Sequence, residues 1–518
     1  MKHKKLYIVF AIIMMVCFTA FVGCGTVSEQ SKSQTKVYKR KNLEMFEKGT
    51  IGVIDGSIYS EYSKELFPNA TIDSYKSFPD LFQCVKQGKI DGFMLDTLNY
   101  NAVKRSETGL SYIAVPDYKV DIGFAFGKND VGEFFQNQMN TFLDELRADG
   151  RLEKIWEKWC GDTEPTETLE APEFSEKATP LSICLDVSRK PFVYLLNNEY
   201  AGFEVEVLYM FCEAYGYRPV FEAAQWSSGL VGLGTGKYDV VSLGIYITEE
   251  RKESVNFSDP YVSADVIMVF YGGAEEDTVF ASIAESFDKT FIREDRWKMI
   301  IEGIGITLFI SIFSVAGGSL FGFGLYMLTR SENKILFKGA KVFARIYGRI
   351  IAGTPELVIL MILFYVFFGE SNISGIFVSI LGFVLIFGAF VYSHLALTIE
   401  GIDPGQMEAA YALGYTKNKT FFKILLPQAL KVFIPTYSSQ VVGLIKATSV
   451  VGYIAVNDLT SVGDIIRSNT YEAFFPLIAV AIIYFMLTWI ISKLLGAVGR
   501  RFDPKKRKTS NFLKGVTR

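Results

Sequence analysis

From residue 299 onward the chain carries five apolar runs, roughly 299–328, 350–370, 373–396, 432–455 and 474–497, each long enough to cross a bilayer. Lys446 interrupts the fourth. In hydrocarbon every backbone N–H and C=O must be satisfied internally, so the runs predict an all-α polytopic membrane domain of about five spanning helices. Its expected extent is 299–500. Between the third and fourth runs lies a polar stretch, Glu408 to Pro427, EAAYALGYTKNKTFFKILLP. Asp403 is placed to cap a helix that Pro404 starts, and Gly414 to end it in the left-handed conformation. A second short helix through Phe421, Phe422 and Ile424 is expected to stop before Pro427. The result is two helices with a bend, projecting into one aqueous compartment.

Charge orients the spans. The loop after the first run carries Arg330, Lys334, Lys338, Lys341, Arg345 and Arg349, and the tail 501–518 is basic. The turn 369–375 has no Lys or Arg. The positive-inside rule then puts the Glu408 loop and the C-terminus in the cytoplasm and the region before residue 299 outside, in a multi-pass plasma-membrane protein. The amino terminus agrees. A basic start, an apolar run Leu6 to Val22 and Phe21-Val22-Gly23-Cys24 look like a lipoprotein signal over 1–24, with Cys24 the lipidated residue. An uncleaved anchor helix is the alternative. A Ser-, Gln- and Lys-rich tether, 25–42, follows.

Composition narrows the chemistry. The chain has 518 residues, with 53 basic against 56 acidic and a net charge of −3, which argues against a nucleic-acid partner. Only two histidines, His3 and His394, leave no catalytic or metal-binding set to expect. The nearest approach to a phosphate loop, Gly232 to Lys237, is followed by Tyr238 where a magnesium-binding hydroxyl is needed. No ATP hydrolysis by this chain is expected, and no cofactor of its own.

Strands alternating with helices over about 43 to 275 indicate α/β structure. The first block, 43–161, holds Gly49 to Ser57, Gly88-Lys-Ile-Asp91 leading to Asp96, Asp121 to Gly127, and an amphipathic helical stretch from Phe134 to Trp159. A Pro-bearing acidic linker, 162–180, separates it from the second block, 181–275. That block holds Leu181 to Val187, Gly202-Phe-Glu-Val-Glu206, Gly236-Lys-Tyr-Asp239 and Gly244-Ile-Tyr-Ile-Thr248-Glu-Glu-Arg251. An amphipathic interfacial helix is expected over 276–298. Cys84, Cys160, Cys184 and Cys212 show no pairing pattern.

Three stretches carry a family resemblance. Glu408-Ala409-Ala410, three residues, Gly414, nine residues, then Ile424-x-Leu426-Pro427 resembles the loop by which ABC importer permeases dock into their ATPase. Gly353-Thr-Pro-Glu-Leu-Val358 and Lys446-Ala-Thr-Ser449 resemble elements of the polar amino-acid permeases. The two exported blocks resemble the lobes of type II solute-binding proteins in reversed order, so one circularly permuted two-lobe domain is expected, with two truncated half-domains the alternative. Its remaining inter-lobe crossing is expected near Val115 to Gly127. The implied fold is a periplasmic-binding-protein-like α/β domain fused to a type I ABC permease.

The resemblance also implies a ligand site. Arg251 would take the α-carboxylate of an amino acid and Asp96 its α-ammonium, from opposite lobes. Gly244, Tyr246, Thr248, Ser57, Asp186, Arg189 and Trp226 would surround them. Tyr246 stands where the family has Ser or Thr, Ile58 where it has Thr, and Arg189 where an aromatic is common. The implied function is ATP-driven import of amino acids, polar ones first; the departures favour an acidic or unusual ligand and leave a ligand other than an amino acid open. The implied partners are a separate ATPase holding ATP and magnesium, and a second copy of the permease. A ligand-gated channel or membrane sensor with an amino-acid-binding ectodomain is the alternative.

Overall fold

A computed structural model describes residues 42–104, 109–161, 165, 168–224, 226–273, 284–330, 334–369, 371, 373–472 and 474–502. Cys24, the signal and all but the end of the tether lie outside these residues, as does the basic tail beyond 502. The chain divides into two compact units. One comprises residues 1–303, 369–371 and 455–482; the other 304–368, 372–454 and 483–518.

In the first unit twelve described strands follow in chain order. They are β1 Thr50–Ile54, β2 Thr71–Tyr75, β3 Gly92–Asp96, β4 Leu110–Phe126, β5 Thr179–Leu185, β6 Ser188–Arg189, β7 Val193–Leu196, β8 Glu199–Ala201, β9 Tyr217–Ala223, β10 Val240–Tyr246, β11 Asn256–Phe257 and β12 Val262–Tyr271. Nine of them form one sheet in the order β2-β1-β3-β12-β4-β10-β5-β9, with β11 on β4; β6, β7 and β8 make a small second sheet. The two sequence blocks therefore do not form separate sheets.

Each end of the large sheet is parallel: β1 pairs with β2 and β3, and β5 with β9 and β10. Parallel strands covered on both faces read as continuous apolar runs, and β3 and β10 are buried throughout. The same local device recurs in both ends. In Gly88-Lys-Ile-Asp91 the Asp91 carboxylate accepts from Thr50 N at 2.9 Å, and in Gly236-Lys-Tyr-Asp239 Asp239 accepts from Ser182 N at 2.8 Å. Each acid ties the entry of one strand to its parallel neighbour.

The ends are joined by two long antiparallel strands, β4 and β12. The expected crossing near 115–127 is the second half of β4, and β12 is its partner. They pair from Val262–Ile122 to Asp265–Lys119 and again from Ile267–Ala114 to Tyr271–Leu110, with a register break between. On the β4 side of that break Asp117 has φ +65°. The expected helix 134–159 is two helices, Asp130–Ala148 and Arg151–Cys160, parted at Gly150 with φ +75°. Asn129 caps the first by accepting from Gly132 N at 2.8 Å. Among the described residues Cys84, Cys160, Cys184 and Cys212 form no disulfide.

Of the interfacial helix expected over 276–298, residues 276–283 lie outside the described residues. From Ala284 to Leu328 the chain is one apolar helical run, broken by a wide turn at Asp288–Ile292 and a tight one at Arg293–Asp295. The left-handed conformation of Glu294 supplies the kink.

Among the described residues three helices are long and apolar enough to cross a membrane: Ala284–Leu328, Gly375–Glu400 and Phe475–Ala497. Two broken pairs bring the number to five, Phe337–Gly353 with Glu356–Phe367 and Lys417–Ile454 with Leu459–Thr470. The second expected span, 350–370, is thus not one helix. Pro355 disfavours helix at the residue before it, and the path bends by 111° between the two arms.

Because β4 serves both ends of the sheet, its buried core residues should couple them. Phe124 is fully buried and packs on Tyr261, ring centroids 5.4 Å apart. Phe124→Ala is expected to cost about 3–5 kcal/mol. Hydrogen exchange should then rise together in β1 and β10; a rise confined to one block would contradict the single-sheet description.

Candidate ligand cleft and coupling loop

The cleft is built where the two ends of the sheet face each other across β4 and β12. A cavity there is lined from the first block by Ile54, Asp55, Gly56, Ser57, Tyr59 and Phe78. The second block contributes Arg189, Leu243, Gly244, Ile245, Tyr246 and Arg251. Five of the nine predicted ligand-site residues are thereby brought together: Arg251, Gly244, Tyr246, Arg189 and Ser57.

Arg251 owes its position to Thr248. Thr248 caps the short helix Glu249–Lys252, its hydroxyl accepting from Arg251 N at 3.2 Å. The guanidinium donates to Tyr246 O at 2.8 Å and, across the cleft, to Gly56 O at 3.0 Å. Burial, with the Arg189 charge second, draws its pKa down to about 10, so it stays charged at neutral pH. Arg189 lies 3.9 Å from Asp186, and its guanidinium faces the Phe78 ring at 6.0 Å. Asp186 is not in the cavity wall; it accepts from Ser188 N at 3.1 Å and Ser188 Oγ at 2.5 Å, fixing the turn that carries Arg189. The side chain of Trp226, at the head of the helix Trp226–Gly234, lies outside what is described.

Asp96 ends β3 and is fully buried. Its Oδ1 accepts from Leu98 N at 3.0 Å and Asn99 N at 2.9 Å. Its Oδ2 accepts from the Tyr59 hydroxyl at 2.9 Å, Asn99 Nδ2 at 2.7 Å and, from the opposite lobe, the Tyr246 hydroxyl at 2.7 Å. Tyr59 and Asn99 carried no expectation from sequence.

Glu204 was also missed as a site group. It lies in the first turn of the helix Phe203–Tyr215, fully buried behind Gly244. Its carboxyl accepts from Ser242 Oγ at 2.6 Å, from Gly244 N at 3.1 Å and from the Tyr261 hydroxyl. The signal was present, since an acid flanked by Phe203 and Val205 in an apolar helix start is unusual company for a charge. Gly244 itself has φ +61°, and a Cβ there would sit 2.6 Å from the Phe192 ring. Only glycine suits that point of the wall.

In the second unit, Asp403 Oδ1 accepts from Gly405 N at 2.7 Å, capping the helix Pro404–Ala412. Gly414 follows at φ +78°. Both agree with expectation, and the bend is present. The second helix does not stop at Pro427. The short helix Lys417–Thr420 widens into a π turn, Phe421–Leu425, and runs on as Leu426–Ala447. Pro427 lies in the first turn of that last segment, where a missing N–H is tolerated. Glu408, Ala409 and Gly414 are exposed, Ala410 is buried, and Tyr411, Leu413 and Phe422 present apolar surface to solvent. Phe421 anchors the bend, with the Arg330 guanidinium 3.8 Å from its ring centroid and the Tyr326 ring at 5.9 Å.

A protein of Bacillus subtilis, the L-cystine transport system permease protein TcyB, is 30% identical over 214 residues, 41% of this chain and 90% of that protein. A Rickettsia bellii protein named for a glutamine transport system, GlnP, is 33% identical over 198 residues, 37% of this chain and 88% of that protein. This chain belongs to the amino-acid ABC permease family. The permease is fused to a solute-binding domain: the family model of bacterial extracellular solute-binding proteins, family 3, matches residues 181–421. That match opens at the second block and runs on into the membrane helices. A solved structure titled as an amino acid ABC transporter with histidines shares 30% identity, covering 44% of this chain and all of that one, with a TM-score of 0.37. The relatives are transport permeases, so this chain is a transporter subunit.

Burial pushes the Glu204 carboxyl up to about 7, against the three hydrogen bonds that pull it down. A carboxyl raised in the folded state binds its proton more tightly there than when unfolded. Its contribution is therefore full below about pH 4.5 and is lost as pH rises through about 7. Thermal unfolding of the chain should fall between pH 5 and pH 8 by an amount on the order of 3 kcal/mol. Glu204→Gln should flatten that slope; an unchanged slope would remove Glu204 as its source.

Proposed function

We propose that this chain is the substrate-binding and membrane-spanning subunit of an ATP-driven importer of amino acids. The observation that carries the proposal is a two-lobed, arginine-bearing cleft in the same chain as an amino-acid permease. Relatives named for L-cystine and glutamine transport support the substrate class. In this reading Arg251 takes the ligand α-carboxylate and Asp96 its α-ammonium, while Arg189 favours an acidic side chain. The domain is circularly permuted, with 181–275 the start of the ancestral order and 43–161 its continuation. Joining ends that lie close together and opening a new pair elsewhere leaves such a fold intact.

The coupling scheme follows from the loop. A separate ATPase, holding ATP and magnesium, receives the exposed Glu408, Ala409 and Gly414, backed by the buried Ala410, with the Ile424–Pro427 arm, and Tyr411, Leu413 and Phe422 offer apolar contact. Two permease copies pair, so a homodimer carries two receptors. The positive-inside charge pattern supports a cytoplasmic loop and an extracellular cleft, and Cys24 is the lipid attachment residue. Ligand closes the lobes, ATP binding opens the pore to the closed receptor, and hydrolysis resets it.

Two measurements test this. The full chain in lipid nanodiscs is heated with each of the twenty amino acids. A bound one at a hundredfold over its Kd adds about 2.7 kcal/mol of stability. Arg251→Ala should lose that shift; a shift that survives would place the carboxylate elsewhere. Gly414→Val imposes left-handed strain of roughly 1–2 kcal/mol at an open position. It should abolish ATP-driven uptake by the chain with its co-purified ATPase while leaving ligand binding intact, and normal uptake would refute the docking role.

A further inference from the structure

The ammonium position of the cleft is already filled, by a residue of the opposite lobe. A carboxylate offers about four lone-pair sites. Asp96 accepts five hydrogen bonds, two from backbone N–H groups and three from side chains. Four of the five come from its own lobe. The fifth comes from Tyr246, on β10, whose hydroxyl also accepts from Asn99 Nδ2 at 3.1 Å. The Tyr246 ring is buried and meets the Tyr59 ring edge-on, 5.5 Å between centroids. Burial and the adjacent Asp96 charge raise both phenols well above their ordinary value, so both remain protonated donors. An ammonium has three N–H donors and needs the same oxygens. Serine or threonine at position 246 would reach only a short way into the cleft, whereas the tyrosine spans it.

We infer that Tyr246 is a built-in competitor for the ligand ammonium. Its hydroxyl holds Asp96 across the cleft, and an α-amino acid is admitted only by displacing it. The inference rests on the amino-acid reading above and adds the residue that sets discrimination. A ligand that keeps the α-carboxylate and lacks the α-amino group needs Arg251 alone and leaves the Tyr246–Asp96 bond in place. Tyr246 therefore tunes affinity for the amino acid relative to its desamino counterpart, and links the lobes before ligand arrives.

The test is equilibrium binding to the full chain in nanodiscs. The probes are the twenty L-amino acids and, for each one bound, the corresponding desamino acid, such as glutarate beside L-glutamate. Tyr246→Phe keeps the ring and its packing and removes only the hydroxyl. It should tighten the amino acid about tenfold, the scale of a charge-assisted hydrogen bond, and move the desamino acid less than about twofold. Tyr246→Ser, which clears the ring as well, should shift the same ratio in the same direction and covers a failure of the first variant to fold. An unchanged ratio, or an amino acid that binds more weakly to both variants, would overturn the competitor role while leaving amino-acid import standing. Binding of no amino acid by either the parent chain or the variants would bring down the amino-acid reading, and the competitor with it.

Discussion

The backbone pairing of β4 with β12 is the contact on which the α/β domain depends. Each strand is shared: β12 carries β3 on its other edge, and β4 carries β10 and β11. Without that pair the parallel ends, β2-β1-β3 and β10-β5-β9, would each expose a row of unpaired N–H and C=O groups to solvent or to other chains. With it, the Gly56, Tyr59 and Asp96 ends of one half face Arg189, Tyr246 and Arg251 of the other. The register break between Asp265 and Ile267 falls between the two halves, where two lobes can rotate on two strands without either losing its own ladder.

Much of this was legible in sequence because it is local. Asp403, Pro404 and Gly414 act within a few residues of themselves, through a cap, a fixed φ and a left-handed bend. The two Gly-Lys-x-Asp turns and the apolar runs of β3 and β10 are likewise short-range signals. Arg251 was found through a family resemblance whose residues, Thr248 and Arg251, lie within one turn of each other. What resisted reading is set at a distance. Tyr246 stood out as the wrong residue for its position, yet its partner Asp96 is 150 residues away, and nothing in either neighbourhood joins them. Glu204 depends on Ser242, Gly244 and Tyr261, contributed by one other strand, β10, and by the turn before β12.

The departures in the membrane helices have the same origin. Apolar content measures length well and continuity poorly, so 350–370 read as one span although Pro355 divides it. Pro427 erred in the opposite direction. A proline ends a helix when its missing N–H and ring conflict with the preceding turn, and the π turn at Phe421–Leu425 relaxes that demand. The loop is therefore not a hinge between two free arms. From Lys417 on it is a rigid extension of the helix Leu426–Ala447, seated by Phe421 against Arg330 and Tyr326.

The position of β12 in the chain has a kinetic consequence. β3 is made early, but its outer neighbour ends at Tyr271, after the whole second block. At about 5–20 residues per second the first block waits on the order of ten to thirty seconds with that edge unpaired. A sheet closed through such distant partners has high contact order and folds slowly. During synthesis the first block is a nascent surface open to chaperones, and to strand exchange with a neighbouring copy, until the last strand of the domain arrives.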